Sequence, residues 1–307
     1  MASGYIGRFA PSPTGPLHFG SLVAALASFL DARAQQGRWL VRMEDLDPPR
    51  EIAGAASLIL TQLRDHGLNW DGDVLFQSRR HSRYSDVVDH FFDLGLAYHC
   101  NCSRQSVREM GGVYNGHCFK RADLGPGDSA AVRIHLTDSP DIRYEDRLQG
   151  PQRQNLSSEV GDFIIRRRDG FFAYQLAVVV DDWDQGITHI VRGIDLMAST
   201  PRQIWLQQQL GAPQPVYSHI PVAKNRIHQK LSKQHHAPSL TRLSPTENLR
   251  LALSWLGMPE PPSGQSPEAM VAFAVDYWRP ESLKGLTSCP APGPYGDAVL
   301  ADERQSG

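Results

Sequence analysis

Arg8-Phe9-Ala10-Pro11-Ser12-Pro13-Thr14-Gly15-Pro16-Leu17-His18-Phe19-Gly20-Ser21 is the stretch that decides how this chain is read. It lies between a short apolar run, Tyr5 to Phe9, and a helical pattern that begins at Leu22. The order is strand, then a turn rich in proline, glycine and small polar residues, then a helix N-terminus. The first N–H groups of a helix lack internal partners and carry partial positive charge, so this order makes an anion site. Gly20 removes the side chain where a nucleotide would press on the backbone. His18 offers a ring N–H donor beside it. The stretch contains neither Gly-x-x-x-x-Gly-Lys-Ser/Thr nor Gly-x-Gly-x-x-Gly. Taken alone it is equally compatible with an ordinary strand-to-helix loop.

Working outward, Ser21 to Gly37 reads as a helix. Leu22, Val23, Leu26, Phe29 and Leu30 share one face, Ser21 is placed to cap the start, and Gly37 suits a left-handed C-terminal position. Trp39 to Met43 follows as a strand, which gives a βαβ unit with Tyr5 to Phe9. That strand ends in Glu44-Asp45-Leu46-Asp47, and ligands of open α/β sheets bind beyond the carboxyl ends of strands. Glu44 is thus placed to meet an ammonium group, although the same residues also fit a solvated acidic loop.

Composition narrows the classes. The 307 residues are enough for two domains, or for one with insertions. The formal charge is −2, so any nucleic-acid contact has to come from local basic patches. No apolar run is long enough to span a bilayer, and no basic-then-apolar leader precedes the first strand. Four cysteines, three of them clustered, do not resemble a secreted disulfide framework. A cytoplasmic protein without a membrane partner is expected.

Further along, Ala53 to His66 and Tyr84 to Leu94 are amphipathic helices ended by Gly67 and Gly95. Cys100, Cys102 and Cys118 fall within nineteen residues, a spacing that favours a zinc site over buried reduced thiols. General zinc chemistry offers His117 as a fourth ligand. Ala131 to Leu136, a run near Ile142 to Tyr144, and Val160 to Arg166 read as strands of an insertion. Arg166-Arg167-Arg168 is a solvated face or a phosphate track. Phe171 to Asp182 reads as a buried strand of the parallel sheet, with Asp181 and Asp182 at its end. His189 to Gly193 is another strand, and Arg192 at its end fits a carboxylate bidentately or pairs with Asp195. Thr200 to Leu210 is a helix with Thr200 as cap. Val216 to Val222 is the last strand. Ser244 opens a capping box, Ser266 starts a second helix, and the residues after Thr287 read as a flexible tail.

A distant stretch changes the weights. Lys230-Leu231-Ser232-Lys233-Gln234, taken with His18-Phe19-Gly20-Ser21, resembles the two signatures of class I aminoacyl-tRNA synthetases, His-Ile-Gly-His and Lys-Met-Ser-Lys-Ser. Phe9 to Gly15, Arg42-Met43-Glu44-Asp45-Leu46-Asp47, Ile187 to Gly193 and Ser199-Thr200-Pro201-Arg202-Gln203 resemble the glutamyl branch. About seventy residues follow Gln234, where ordinary glutamyl-tRNA synthetases carry a long anticodon-binding region. The length, Ser21 in place of the second histidine, and the Cys-x-Cys…Tyr-x-x-x-Cys set resemble the short glutamyl-queuosine tRNA(Asp) synthetase family.

The resemblance implies an α/β fold: a Rossmann-like parallel sheet with a zinc-containing insertion and a short helical C-terminal region. Residues 1–98 and 160–236 would be the two halves of the catalytic domain, 99–159 the insertion with the zinc site, and 237–307 the helical region and tail. It implies a ligase that activates L-glutamate with ATP and Mg²⁺ and transfers it to queuosine in the anticodon loop of tRNA(Asp), acting as a monomer. His18, Gly20, Lys230 and Lys233 would be catalytic, with His18, Gly20 and Lys233 on ATP. Arg8, Phe9, Ala10, Pro11, Ser12, Glu44, Tyr174 and Arg192 would bind glutamate. Cys100, Cys102, Tyr114 and Cys118 would hold Zn²⁺, Tyr114 replacing His117 as fourth ligand. Ser21 and Gln234 depart from the class pattern. Two other readings are an adenylyltransferase of the same nucleotide fold and a non-catalytic tRNA-binding paralogue.

Overall fold

A computed structural model describes residues 4–121, 123–125, 129–138, 140–231 and 237–297. In chain order the elements are β1 (Ile6–Phe9), α1 (Phe19–Ala34), β2 (Arg38–Met43), α2 (Ala55–Asp65), β3 (Leu75–Phe76), α3 (His81–Asp93), β4 (Ala97–Cys100), α4 (Arg104–Glu109), β5 (Ala131–Ile134), β6 (Asp141–Asp146) and β7 (Gly150–Asn155). There follow α5 (Leu156–Glu159), β8 (Ile164–Arg166), α6 (Tyr174–Asp184), β9 (His189–Gly193), α7 (Thr200–Leu210), β10 (Val216–Ile220), β11 (Val222–Lys224), α8 (Pro245–Trp255), α9 (Pro267–Tyr277), β12 (Ser288–Pro290) and α10 (Gly293–Gly296).

The central layer is parallel. β1 pairs with β2, Ile6 facing Arg38, and β2 pairs with β3. On the other side of β1, the backbone N–H of Thr188, just before β9, donates to Ile6 O at 2.9 Å, and Ile6 N–H donates to Thr188 Oγ1 at 2.9 Å. β9 pairs with β10, and β10 pairs with β6 at Tyr217 and Asp146. The spatial order is therefore β3-β2-β1-β9-β10-β6, edged by antiparallel β7. The chain leaves β1 toward β2 on one side and returns through β9 on the other. A crevice opens at such a reversal, beyond the carboxyl ends of the strands.

α1 covers one face. Leu22, Leu26 and Leu30 are fully buried, against Trp39 and Val41 of β2 and against Leu249, Leu253 and Met270 of α8 and α9. Each such side chain stabilises by roughly 1.5–3 kcal/mol. Val178, Val180, Ile204, Leu206, Tyr84 and Phe91 form a second cluster around α6, α7 and α3. A smaller antiparallel sheet, β4-β5-β8, carries a third around Tyr98, Cys100, Tyr114 and Cys118.

Several expectations are corrected. Phe171 to Asp182 is not a strand: Tyr174–Asp184 is helical, and Leu176 to Asp182 are all buried. A helix buried on every side shows no polar face, so its valine run imitates a core strand. Asp181 and Asp182 are buried on that helix rather than at a strand end. Ser21 does not cap α1; His18 does, its Nδ1 accepting from Ser21 N–H at 3.2 Å. The left-handed residue after α1 is Gln36 (φ 52°). Gly37 serves close approach instead, since a Cβ there would lie 2.5 Å from Tyr5 O. Ser199, not Thr200, precedes α7. Val216 to Val222 is two strands broken at Pro221, and the strand within Val160 to Arg166 is confined to Ile164–Arg166. Residues 288–297 are structured: β12 pairs with β11, and Tyr295 is fully buried. The capping box at Ser244 and Glu247 is present.

Candidate active site

A cavity of about 670 Å³ opens at the carboxyl ends of β1, β2 and β9. Arg8, Phe9, Ala10, Pro11 and Ser12 line it from the turn after β1, His18 and Gly20 from the start of α1, Glu44 from the end of β2, Tyr174 from the start of α6, Arg192 from β9 and Lys230 from the loop after β11. All of these expected site residues share one cleft. Lys233 lies outside the described residues.

One side of the cleft is built by His18. With Nδ1 accepting from Ser21 N–H, its proton resides on Nε2, which makes that nitrogen a donor. Gly20 leaves room for His18: an added Cβ would lie 3.2 Å from the ring Cε1, so the ring would have to shift by a few tenths of an ångström. The lysine stretch arrives opposite. Leu231 N–H donates to Ala223 O at 2.8 Å, and Lys230 Nζ pairs with Asp195 Oδ2 at 2.6 Å.

The other side holds charges arranged around Asp182. Its carboxylate takes Arg8 through Nε (3.1 Å) and Nη2 (3.3 Å), and Arg42 through Nη1 (2.8 Å). Arg42 is fully buried and also donates to Gln185 Oε1 at 2.8 Å and to Glu44 Oε1 at 3.4 Å. Burial alone would raise the Asp182 carboxyl, but Arg42 and Arg8 hold it below its ordinary value. For Glu44 burial wins: its carboxyl is raised despite Arg42 and Arg8. Burial likewise raises the Tyr174 phenol, against the opposing charge of Arg192.

Arg192, 5% exposed, does not pair with Asp195. Its Nε donates to His219 Nε2 at 3.0 Å, and its Nη2 to Thr200 Oγ1 at 2.8 Å and Gln203 Oε1 at 2.7 Å. Its Nη1 donates to Tyr174 Oη at 3.4 Å. Every acceptor is neutral, and among the described residues no carboxylate pairs with it.

The cysteines form a second site. The thiols of Cys100, Cys102 and Cys118 lie within 4.8 Å of one another. Tyr114 Oη is 3.3 Å from Cys100 Sγ and 3.5 Å from Cys102 Sγ, and Cys102 Sγ is 3.5 Å from Cys118 Sγ. Those edges suit a tetrahedron around an ion with bonds of about 2.3 Å to sulfur. As thiolates the three cysteines are soft anionic donors, and the Tyr114 phenol adds an oxygen, so the residues fit zinc. His117 is exposed and stands apart from the cluster. Arg133 packs 3.9 Å from the Tyr114 ring centroid and donates to Cys100 Sγ at 3.2 Å, which offsets the charge that such donors would carry.

Residues 6–254 match the model of the catalytic domain of class I tRNA synthetases (E and Q). The glutamyl-Q tRNA(Asp) synthetase of Serratia proteamaculans is 49% identical over 304 residues, 98% of this chain and 96% of that one. That of Pseudomonas putida is 51% identical over 292 residues, 94% of this chain and 96% of the relative. This chain belongs to the glutamyl-Q tRNA(Asp) synthetase family. The glutamate tRNA ligase of Elizabethkingia meningosepticum, solved with its amino acid, shares the fold with a TM-score of 0.77 at 20% identity, over 99% of this chain and 70% of that one.

Glutamyl-Q tRNA(Asp) synthetases are ligases of the aminoacyl-tRNA synthetase type, and class I membership implies ATP with Mg²⁺. Among the described residues no helix is long and apolar enough to cross a membrane. Four residues support the cleft in roles that the sequence reading does not give them: Arg42 and Asp182, which hold Arg8 and Glu44, and His219 and Asp195, which touch Arg192 and Lys230. Arg42 is two residues from Glu44, but Asp182, His219 and Asp195 lie 174, 27 and 35 residues from Arg8, Arg192 and Lys230. Their shared signal is a polar side chain beside apolar neighbours.

Proposed function

We propose that this cleft activates L-glutamate with ATP and transfers it to the queuosine base in the anticodon loop of tRNA(Asp), the activity for which the family's members are named. The observation that carries the reading is a buried arginine, Arg192, without a carboxylate partner among the described residues, in one cavity with a half-buried carboxylate, Glu44, and the helix start behind His18. An amino acid with an acidic side chain satisfies both charges. Arg192 takes the side-chain carboxylate and Glu44 the ammonium. Arg8, fixed by Asp182, and the turn from Phe9 to Ser12 line the path toward ATP, and Tyr174 closes the side.

The α-carboxylate of glutamate attacks the α-phosphorus of ATP, which expels pyrophosphate and leaves glutamyl-adenylate. Negative charge grows on the phosphoryl oxygens, and fixed donors there lower the barrier. We assign that work to His18 Nε2–H, the N–H groups around Gly20, and the lysines at 230 and 233. Mg²⁺ accompanies the triphosphate. A cyclopentenediol hydroxyl of queuosine then attacks the carbonyl and releases AMP.

We assign zinc to Cys100, Cys102, Tyr114 and Cys118, where it would hold 99–159 as a folded insertion between the two catalytic halves. The insertion and the cleft's open side would face the anticodon loop, and 237–307 would brace α1. Pyrophosphate exchange measured with each amino acid in turn tests the first half-reaction. Exchange with glutamate alone is expected, and exchange with an unrelated amino acid overturns the reading.

A further inference from the structure

His219 lies on β10 with no exposure, and the reading of the cleft as a glutamate pocket does not use it. Its Nδ1 stands 2.6 Å from Asp146 Oδ2. Asp146 is itself fixed as a carboxylate, since its Oδ1 accepts from the backbone N–H groups of Leu148 (3.0 Å), Gln149 (3.0 Å) and His219 (3.2 Å). The proton of the imidazole is therefore on Nδ1, and Nε2 is a lone pair. Two donors point at that lone pair: Arg192 Nε–H at 3.0 Å and the Thr200 hydroxyl at 3.2 Å.

The arrangement is unusual for a buried arginine. A guanidinium with 5% exposure ordinarily has a carboxylate against it. Here four of its five N–H groups go to neutral acceptors, and Asp146 is held one imidazole away. The geometry is fixed while the charge is not cancelled. A carboxylate in direct contact would satisfy Arg192 and leave a ligand nothing to neutralise.

We propose that His219, oriented by Asp146, is the residue that sets amino-acid specificity in this cleft: it locks Arg192 in place through a neutral nitrogen and so reserves the guanidinium charge for an acidic side chain of the substrate. His219 does not touch the substrate; it is a positioning residue. Protonation would end the role, because Nε2–H would face Arg192 Nε–H. The groups around the ring are Asp146 and Tyr144 from β6, Arg192 from β9, Asp195 from the turn after it, Thr200 from α7 and Tyr217 on its own strand. Burial, the foremost influence, and the nearby Arg192 keep the imidazole below its ordinary value, against the pull of Asp146.

The inference rests on the glutamate reading, so the experiment separates the two. Pyrophosphate exchange is measured with glutamate and with glutamine for the wild type, His219→Gln and His219→Glu, with KM for ATP and thermal stability alongside. A wild type that ignores glutamate contradicts the reading of the cleft. Given a glutamate-dependent wild type, His219→Glu, which puts a carboxylate on Arg192, raises KM for glutamate about tenfold or more and narrows the preference over glutamine, with KM for ATP unmoved. His219→Gln, whose amide oxygen accepts from Arg192 without charge, keeps KM for glutamate within about threefold. Equal KM values in the wild type and His219→Glu, or equal impairment of the two variants, overturn the role. Should His219→Glu fail to fold, His219→Leu decides: it removes the acceptor from Arg192 Nε and is expected to raise KM for glutamate about tenfold where His219→Gln does not; a KM for His219→Leu equal to that of the wild type overturns the proposal.

Discussion

Leu231 brings its backbone oxygen to 3.7 Å from where a Cβ on Gly20 would stand. More than two hundred residues separate the two in sequence. The start of the lysine stretch and the histidine stretch thus meet across one cleft, beside Gly20. A methyl group there presses on the His18 ring at 3.2 Å, and the ring has to yield. Gly20→Ala is expected to lower glutamate-dependent pyrophosphate exchange about 10- to 100-fold by displacing His18. Stability should stay within about 1 kcal/mol, because alanine favours the helix. Normal exchange by a folded Gly20→Ala protein would contradict the positioning of His18.

Glu44 and Asp182 make opposite predictions with pH. Burial raises the Glu44 carboxyl. Its folded pKa exceeds the unfolded one, so its contribution to stability is present below the unfolded value and is lost as pH rises through the folded value. Asp182 is depressed by Arg42 and Arg8 against burial, so its contribution is present above the unfolded value and is lost as pH falls through the folded one. Binding an ammonium requires ionised Glu44. KM for glutamate should therefore climb on acidification before an ordinary carboxylate would titrate, and Glu44→Gln should raise it about 10-fold or more at neutral pH. A KM unaffected by the substitution would remove Glu44 from the site.

Asp182→Asn should damage both stability and binding. It leaves Arg8 and Arg42, 4% and 0% exposed, short of the carboxylate that joins them. Loss of one partner of a buried ion pair costs about 3–5 kcal/mol. Chemical denaturation of the variant measures the loss, and an unchanged midpoint would contradict it.

For the cysteine cluster, metal analysis separates the candidate ligands. Cys100→Ser and Cys102→Ser should lose zinc, Tyr114→Phe should hold it more weakly against a chelator, and His117→Ala should retain it, since His117 is exposed and apart from the thiols. Zinc loss from His117→Ala with full retention by Tyr114→Phe would reverse the assignment of the fourth ligand.

Asp31 offers a control away from the chemistry. Its buried carboxylate accepts from Tyr5 Oη (2.5 Å), Arg147 Nη1 (2.9 Å) and Trp278 Nε1 (3.0 Å), joining β1, the turn after β6 and the end of α9. Asp31→Ala strands a buried hydroxyl and an indole N–H, and should cost about 3 kcal/mol or more. KM for glutamate should barely move in protein that remains folded.

The sequence disclosed what repeats locally. The 3.6-residue spacing of Leu22, Leu26 and Leu30 gave α1, Ser244 and Glu247 gave the start of α8, and the strand ends at Glu44 and Arg192 lie where parallel sheets expose ligand groups. α6 reads as a strand in the sequence because its valines are buried on all sides, which erases the polar face that marks a helix. The order of Tyr295 was hidden by its proline- and glycine-rich surroundings, although its ring stacks on Phe19 with centroids 5.0 Å apart. The supports of the cleft were illegible for a different reason. Asp182 on Arg8 and His219 on Arg192 are long-range pairings that exist only once the sheet has formed.

The transfer step gives the most direct test. Labelled glutamate, ATP and tRNA(Asp), with and without queuosine, are incubated with the protein, and the label is then located on the RNA. The account predicts label on the queuosine nucleotide of the anticodon loop and none on tRNA lacking the modified base. Label at the 3′-terminal adenosine, or labelling indifferent to queuosine, would contradict it.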